Sequence, residues 1–203
     1  MIEKQMKHLN SNILCAVYTE LTGNNPHQQE IAEICIMVLD NFIRPSDRIM
    51  PFYFALQPQK PDNIDFETAT LSKARLAEVV LTGINTWTAA DRLEEWFHLL
   101  DLPPGKGIVP LTHNWPFQRQ FVQNWLGYEN FKYLFSEQYR DLMTMALLIN
   151  DRDNQRAELC TFPKVTLDYI GNELSVRCHS RSDLLEKCFK ISQIYRQVLG
   201  VRI

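Results

Sequence analysis

Ile13–Leu14–Cys15–Ala16–Val17 is an apolar run too short for a helix by itself. It reads as a buried strand, closed by Tyr18–Thr19–Glu20–Leu21–Thr22–Gly23 and then by turn residues through Pro26. Ile31 to Leu39 repeats the β-branched and apolar character and predicts a second strand. Pro45 and Pro51 bracket a turn before a third, Phe52–Tyr53–Phe54–Ala55–Leu56, which Pro58 and Pro61 close. Connections this short leave no room for crossover helices, so the three strands are expected to form an antiparallel meander.

Beyond Pro61 the period changes. Leu71, Ala74, Leu76, Val79 and Val80 recur at roughly helical spacing before Gly83. Thr88 is the expected cap of a second helix through Leu93, Trp96, Phe97 and Leu100, stopped by Pro103–Pro104. Gly107 to Leu111 predicts a fourth strand, and Phe117, Phe121, Trp125 and Leu126 a third helix. Leu142 to Ile149 fits either a strand or a helix start. Asn150 to Glu158 reads as a charged loop, and a last helix runs from about Ser182 to Leu199. The expectation is α/β: a mixed sheet of about five strands, the first three antiparallel, flanked by helices in one domain over 1–203 with its core at about 12–200.

Composition bounds the function. The chain has 203 residues, 45% of them hydrophobic and 22% charged, which excludes wholesale disorder and permits a real core. No apolar run reaches the ~18–20 residues of a membrane span. Met1 to Asn12 is polar and lacks a signal core, so a cytoplasmic protein with no membrane partner is expected. Five cysteines without a CxxC pair fit reduced thiols, with Cys15 and Cys35 in the core. The net charge is −3, but Arg177 to Ile203 carries six Lys/Arg against Asp183 and Glu186. A basic end on an acidic body is a footprint for a polyanion, and equally that of a solvated helix face.

Four pieces of sequence stand in order. They are Tyr18–Thr19–Glu20–Leu21–Thr22–Gly23, Glu30–Ile31–Ala32–Glu33–Ile34, His113–Asn114–Trp115–Pro116–Phe117, and Cys178–His179–Ser180–Arg181–Ser182–Asp183, with Phe162–Pro163–Lys164–Val165–Thr166–Leu167 ahead of the last. In this order and spacing the chain resembles the DEDDh 3′–5′ exonucleases, the ribonuclease T and proofreading-subunit type, over about residues 12 to 200. The resemblance implies a ribonuclease H-like fold. It also implies a site of four acids and a general-base histidine that holds two divalent cations, which activate a water and stabilise the leaving oxygen.

Residue by residue the family's set is mostly replaced. Tyr18 stands where the first acid belongs, Gln118 follows Phe117 in place of another, and Leu184 falls five residues after His179 in place of the last. Glu20 and His179 are retained. Asp183 lies one residue short of the family's spacing, a turn of about 100° on a helix; Asp141 is a further acid near a predicted strand end. Each retained residue also has a plain reading, Glu20 as a solvated acid, His179 as a polar helix start, Glu33 as a partner of backbone amides, His113–Asn114 as loop geometry. Tyr18, Glu20, Gln118, His179 and Asp183 are expected together at one end of the sheet, with Tyr18 and Gln118 filling the vacated metal site.

Three functions follow. The first is a non-hydrolytic protein that binds single-stranded DNA or RNA through Tyr18, Asn114, Trp115 and Arg181, without a metal. The second is an active 3′–5′ exonuclease using Mg²⁺ or Mn²⁺ on Glu20 and Asp183, with Asp141 as a further candidate ligand. The third is a protein-interaction module with a protein partner on the same fold.

Overall fold

The computed structural model describes residues 7–176 and 183–200. His179 and Arg181 therefore lie outside the described residues. Three strands come first, β1 (Ile13–Leu21), β2 (Ile31–Val38) and β3 (Phe52–Gln57), then helix α1 (Lys73–Thr82), strand β4 (Ile84–Asn85) and helix α2 (Thr86–His98). Strand β5 (Ile108–Thr112), helices α3 (Trp115–Leu126) and α4 (Tyr128–Leu134), and strand β6 (Arg140–Asp141) follow. Helices α5 (Leu142–Gln155), α6 (Leu167–Glu173) and α7 (Leu184–Val198) complete the order.

The sheet order is β4-β3-β2-β1-β5-β6. The first three strands pair antiparallel, as their short connections predict, while β5 lies parallel to β1 and the outer strands are parallel to their neighbours. The sheet has six strands because β4 and β6 are two-residue edges, too short to leave a pattern.

Both faces are covered. Ile13, Cys15, Val17, Ile34, Ile36 and Leu56 face α2, α3 and α4; Leu14, Ala16, Cys35 and Met37 face α6 and α7. Alternation along β1 and β2 thus feeds two cores, which is why these strands read as continuous apolar runs. Helix α1 covers the β3 side of the second face through Leu76 and Val79. Gly83 permits the tight α1–β4 joint, since a Cβ there would stand 2.7 Å from the Gln57 backbone N.

Two local expectations are corrected, and one open alternative is resolved. Asn85, not Thr88, caps α2, its side chain accepting from the Trp87 N–H at 2.9 Å. Leu142–Ile149 is helical, and α5 runs on through most of the segment read as a charged loop. There Asp153 turns inward to accept from the Thr161 hydroxyl at 2.5 Å, the Arg152 guanidinium at 2.8 Å and the Thr161 N–H at 3.0 Å, bonds that lower its pKa to about 2.

Candidate functional site

Glu20 and Glu33 are direct partners across the antiparallel β1–β2 pair, so their side chains stand side by side on one face. Both are 1% exposed. Two like charges opposite one another in a dry place are unfavourable unless each is matched. Each is. The Lys187 ammonium from α7 pairs with Glu20 Oε1, and the Arg75 guanidinium from α1 pairs with Glu33, its Nε at 2.7 Å from Oε1. Burial and the neighbouring Glu20 still push the Glu33 carboxyl above its ordinary range, against the pull of Arg75.

Lys187 Nζ also lies 5.0 Å from the centre of the Tyr18 ring, a cation–π contact. Burial and the Glu20 charge raise the Tyr18 hydroxyl well above its usual pKa, so it stays protonated. Between α1 and α7, Glu20, Lys187 and Arg75 line an open cavity with Tyr53, Ser72, Glu78 and Asp183. Glu20 Oε2 is buried and without a hydrogen-bond partner among the described residues.

Of the other expected site residues, Asp183 stays at the cavity beside Glu20, while Gln118 and Leu184 go elsewhere. Gln118 Oε1 accepts from Thr19 Oγ1 at 3.2 Å and Thr112 Oγ1 at 3.4 Å, and its Nε2 donates to the His113 carbonyl at 2.7 Å. Thr19 alternates with Tyr18 and Glu20, so Gln118 meets β1 from the opposite face. Leu184 is fully buried in the α7 core. Asp183 caps α7, accepting from the Leu185 N–H at 2.9 Å. Asp141 is committed to two helix starts: Oδ1 accepts from the Thr144 N–H at 2.8 Å and Oδ2 from the Trp115 N–H at 2.6 Å. Replacing Asp141 by alanine should cost about 2–3 kcal/mol in chemical denaturation, as two caps are lost at once.

The nucleic-acid contacts read from the sequence fare similarly. Trp115 is 1% exposed and packs on Phe131, so it offers no face for stacking. Asn114 takes the left-handed conformation ahead of α3, and His113 Nε2 lies 2.7 Å from the Val165 carbonyl. Lys190, counted with the basic end, is buried against Asp168 at 2.7 Å. Glu33 binds a guanidinium, not backbone amides.

A two-cation centre needs several free oxygen donors converging on one point. Here the two buried carboxylates already hold protein cations, Tyr18 and Leu184 supply no carboxylate, and Asp141 is spent on caps. Among the described residues no group of three His, Cys, Asp or Glu is placed to hold a metal. The residues present do not fit the metal pair that the resemblance implies.

Neither a protein-family model nor a curated protein sequence matches the chain. Solved structures do. E. coli exonuclease I in complex with a dT13 oligonucleotide superposes over 92% of this chain with a TM-score of 0.66 at 15% identity. Exonuclease I from Methylocaldum szegediense covers 94% with a TM-score of 0.67 at 16% identity. Cell-death related nuclease 4 covers 93% with a TM-score of 0.65 at 15% identity. This chain spans 41% of each exonuclease I chain and 64% of the nuclease 4 chain. The fold is therefore that of these exonucleases, the ribonuclease H-like mixed sheet expected from the sequence. No helix among the described residues is long and apolar enough to cross a membrane.

Proposed function

We propose that this chain is a non-hydrolytic protein on the exonuclease fold that binds single-stranded DNA or RNA. One observation carries the first half: Lys187 and Arg75 supply, from within the protein, positive charge to the buried Glu20–Glu33 pair. An ammonium neutralises a carboxylate but has no open coordination position. It therefore neither polarises a water into a nucleophile nor shares an oxygen with a phosphate as a divalent ion does. For the second half, support comes from structural neighbours whose complexes contain dT13 and dA16 oligonucleotides. One neighbour is a zinc-bound complex with single-stranded DNA; here Glu20 Oε1 and Glu33 Oε1 hold protein cations, which leaves Glu20 Oε2 as a lone carboxylate oxygen without a partner among the described residues.

The test uses a single strand labelled at its 5′ end, incubated with the protein and Mg²⁺ or Mn²⁺. No shortening is expected, and strand affinity should be the same in EDTA. Neither metal should raise the melting temperature. Stepwise release of nucleotides in Mn²⁺, abolished by Glu20→Ala, would replace this reading with the active exonuclease.

The interaction-module reading has an observation of its own. Trp115 is core, and Lys187 and Lys190 are paired, so among the described residues these three groups first expected to meet a strand are spent. A strand affinity that is immeasurable at low salt would favour it, since phosphate contacts strengthen as salt falls.

A further inference from the structure

If a strand binds, the carboxylate cavity is a poor place for it. Glu20, Glu78 and Asp183 line that cavity, and its cations Arg75 and Lys187 are held by Glu33 and Glu20. Among the described residues, a phosphate there would face carboxylates with no uncommitted cation in the cavity lining to meet it. A second cleft, of about 370 Å³, opens on the other face of the sheet. Its floor is apolar, formed by Ile31, Leu56 and Phe121, which belong to the α2–α3 core. Its lining carries Lys60 and Glu30 as opposite charges and several carboxamides, so it is close to neutral. That volume lies in the range of small-molecule sites, and an apolar floor under polar walls suits a ligand that is itself a flat ring edged with polar groups.

The walls are held in place by hydrogen bonds. Trp87, at 69% exposure, stands just past the Asn85 cap that fixes its backbone. Trp125 is fixed by its indole N–H, which donates to the Thr86 carbonyl at 2.9 Å. Asn124 Nδ2 donates to the Pro26 carbonyl at 2.6 Å, and Gln59 Nε2 to Thr86 Oγ1 at 2.6 Å. With one N–H of each amide used, its orientation is fixed, and both carboxamides keep their oxygen as acceptor beside a second N–H. A flat indole beside two neutral acceptors suits a heteroaromatic ring that carries an amino group.

We propose that this cleft takes one unpaired nucleobase of a single strand, stacked on Trp87 and read through the Asn124 and Gln59 oxygens. The inference rests on the single-strand reading and adds the place and the base class. Adenine and cytosine present an exocyclic amino donor and thymine does not, so deoxyadenylate should bind more tightly than thymidylate. Lys60 on the rim supplies one cation for the adjoining phosphate.

The experiment titrates the full chain with a short oligo-deoxyadenylate and its thymidylate counterpart, following intrinsic tryptophan emission and, separately, anisotropy of a labelled strand. Trp96 and Trp115 are buried, so a change in emission points to Trp87 or Trp125. Quenching should saturate with deoxyadenylate. Trp87→Ala should weaken binding about 5- to 150-fold, the range for losing one base–aromatic stack, with an unchanged melting temperature because the side chain is exposed. Asn124→Ala should narrow the preference for deoxyadenylate. Strand binding with full affinity in Trp87→Ala would overturn the proposed cleft while leaving the single-strand reading intact. Absence of strand binding by the unmodified protein, with adenosine monophosphate still quenching emission, would sustain the cleft as a nucleotide site and overturn the single-strand reading. Absence of both would overturn the two together.

Discussion

Lys187→Met should lower the stability of the protein by about 2–4 kcal/mol, read from urea unfolding midpoints. Removing one partner of a buried ion pair costs about 3–5 kcal/mol, because the other charge is left in a low-dielectric site. Lys187 is about one-fifth exposed and Glu20 almost wholly buried, so solvent recovers part of that cost and the lower range is used. Methionine keeps the unbranched stem against the Tyr18 ring, so the loss reports charge more than packing. Glu20→Gln on top of Lys187→Met should return most of the stability, because a neutral amide no longer needs a cation. The two substitutions would then be strongly non-additive. If instead Lys187→Met cost less than about 1 kcal/mol, the ammonium would be an ordinary surface charge, and its assignment as the cation of the site would fail.

That pairing also marks the limit of what the chain discloses locally. The strands were legible because two-sided burial makes β1 and β2 continuous apolar runs, and a tight connection dictates antiparallel pairing. Glu20 stood out because it lies at a strand end in a motif with recognisable spacing. Its partner did not, since Lys187 lies 167 residues away and nothing in a local window links the two. Position on the helix was the available signal: Lys187 follows Leu184 by three residues, hence one turn on the same side, and the family's last acid would occupy Leu184. Arg75 carried no comparable mark. Trp115 was misread for the opposite reason. An aromatic next to a proline at a helix start looks available in sequence, whereas the β5–α3 turn directs it onto Phe131 and Phe135. Asp141 likewise resembled a spare acid until its two helix starts were brought together by the parallel β5–β6 pair.

Restoring an acid at the family's last position should break the protein rather than repair a metal site. Leu184 is fully buried beside Cys188, Ile191 and other apolar groups of the α7 core. Leu184→Asp removes an isobutyl group and introduces a carboxylate with no cation in that core. The lost packing alone costs about 2–5 kcal/mol, and the buried polar group adds to it unless it is neutralised. Because total stability is typically about 5–15 kcal/mol, this one substitution should leave the protein largely unfolded at 37 °C, in circular dichroism and in thermal melting. Leu184→Asn, isosteric with the acid but uncharged, should be less damaging, and its difference from Leu184→Asp should shrink as pH falls and the acid is protonated. Tyr18→Asp would add a carboxylate beside Glu20, whereas Gln118→Asp would place its acid on the far side of β1. The three replacements therefore do not converge, and Mn²⁺ should give no rise in melting temperature in the combined variant. A folded triple variant that Mn²⁺ stabilises by several degrees would contradict this, because it would require α7 to rotate and α3 to move until all three carboxylates reach one ion.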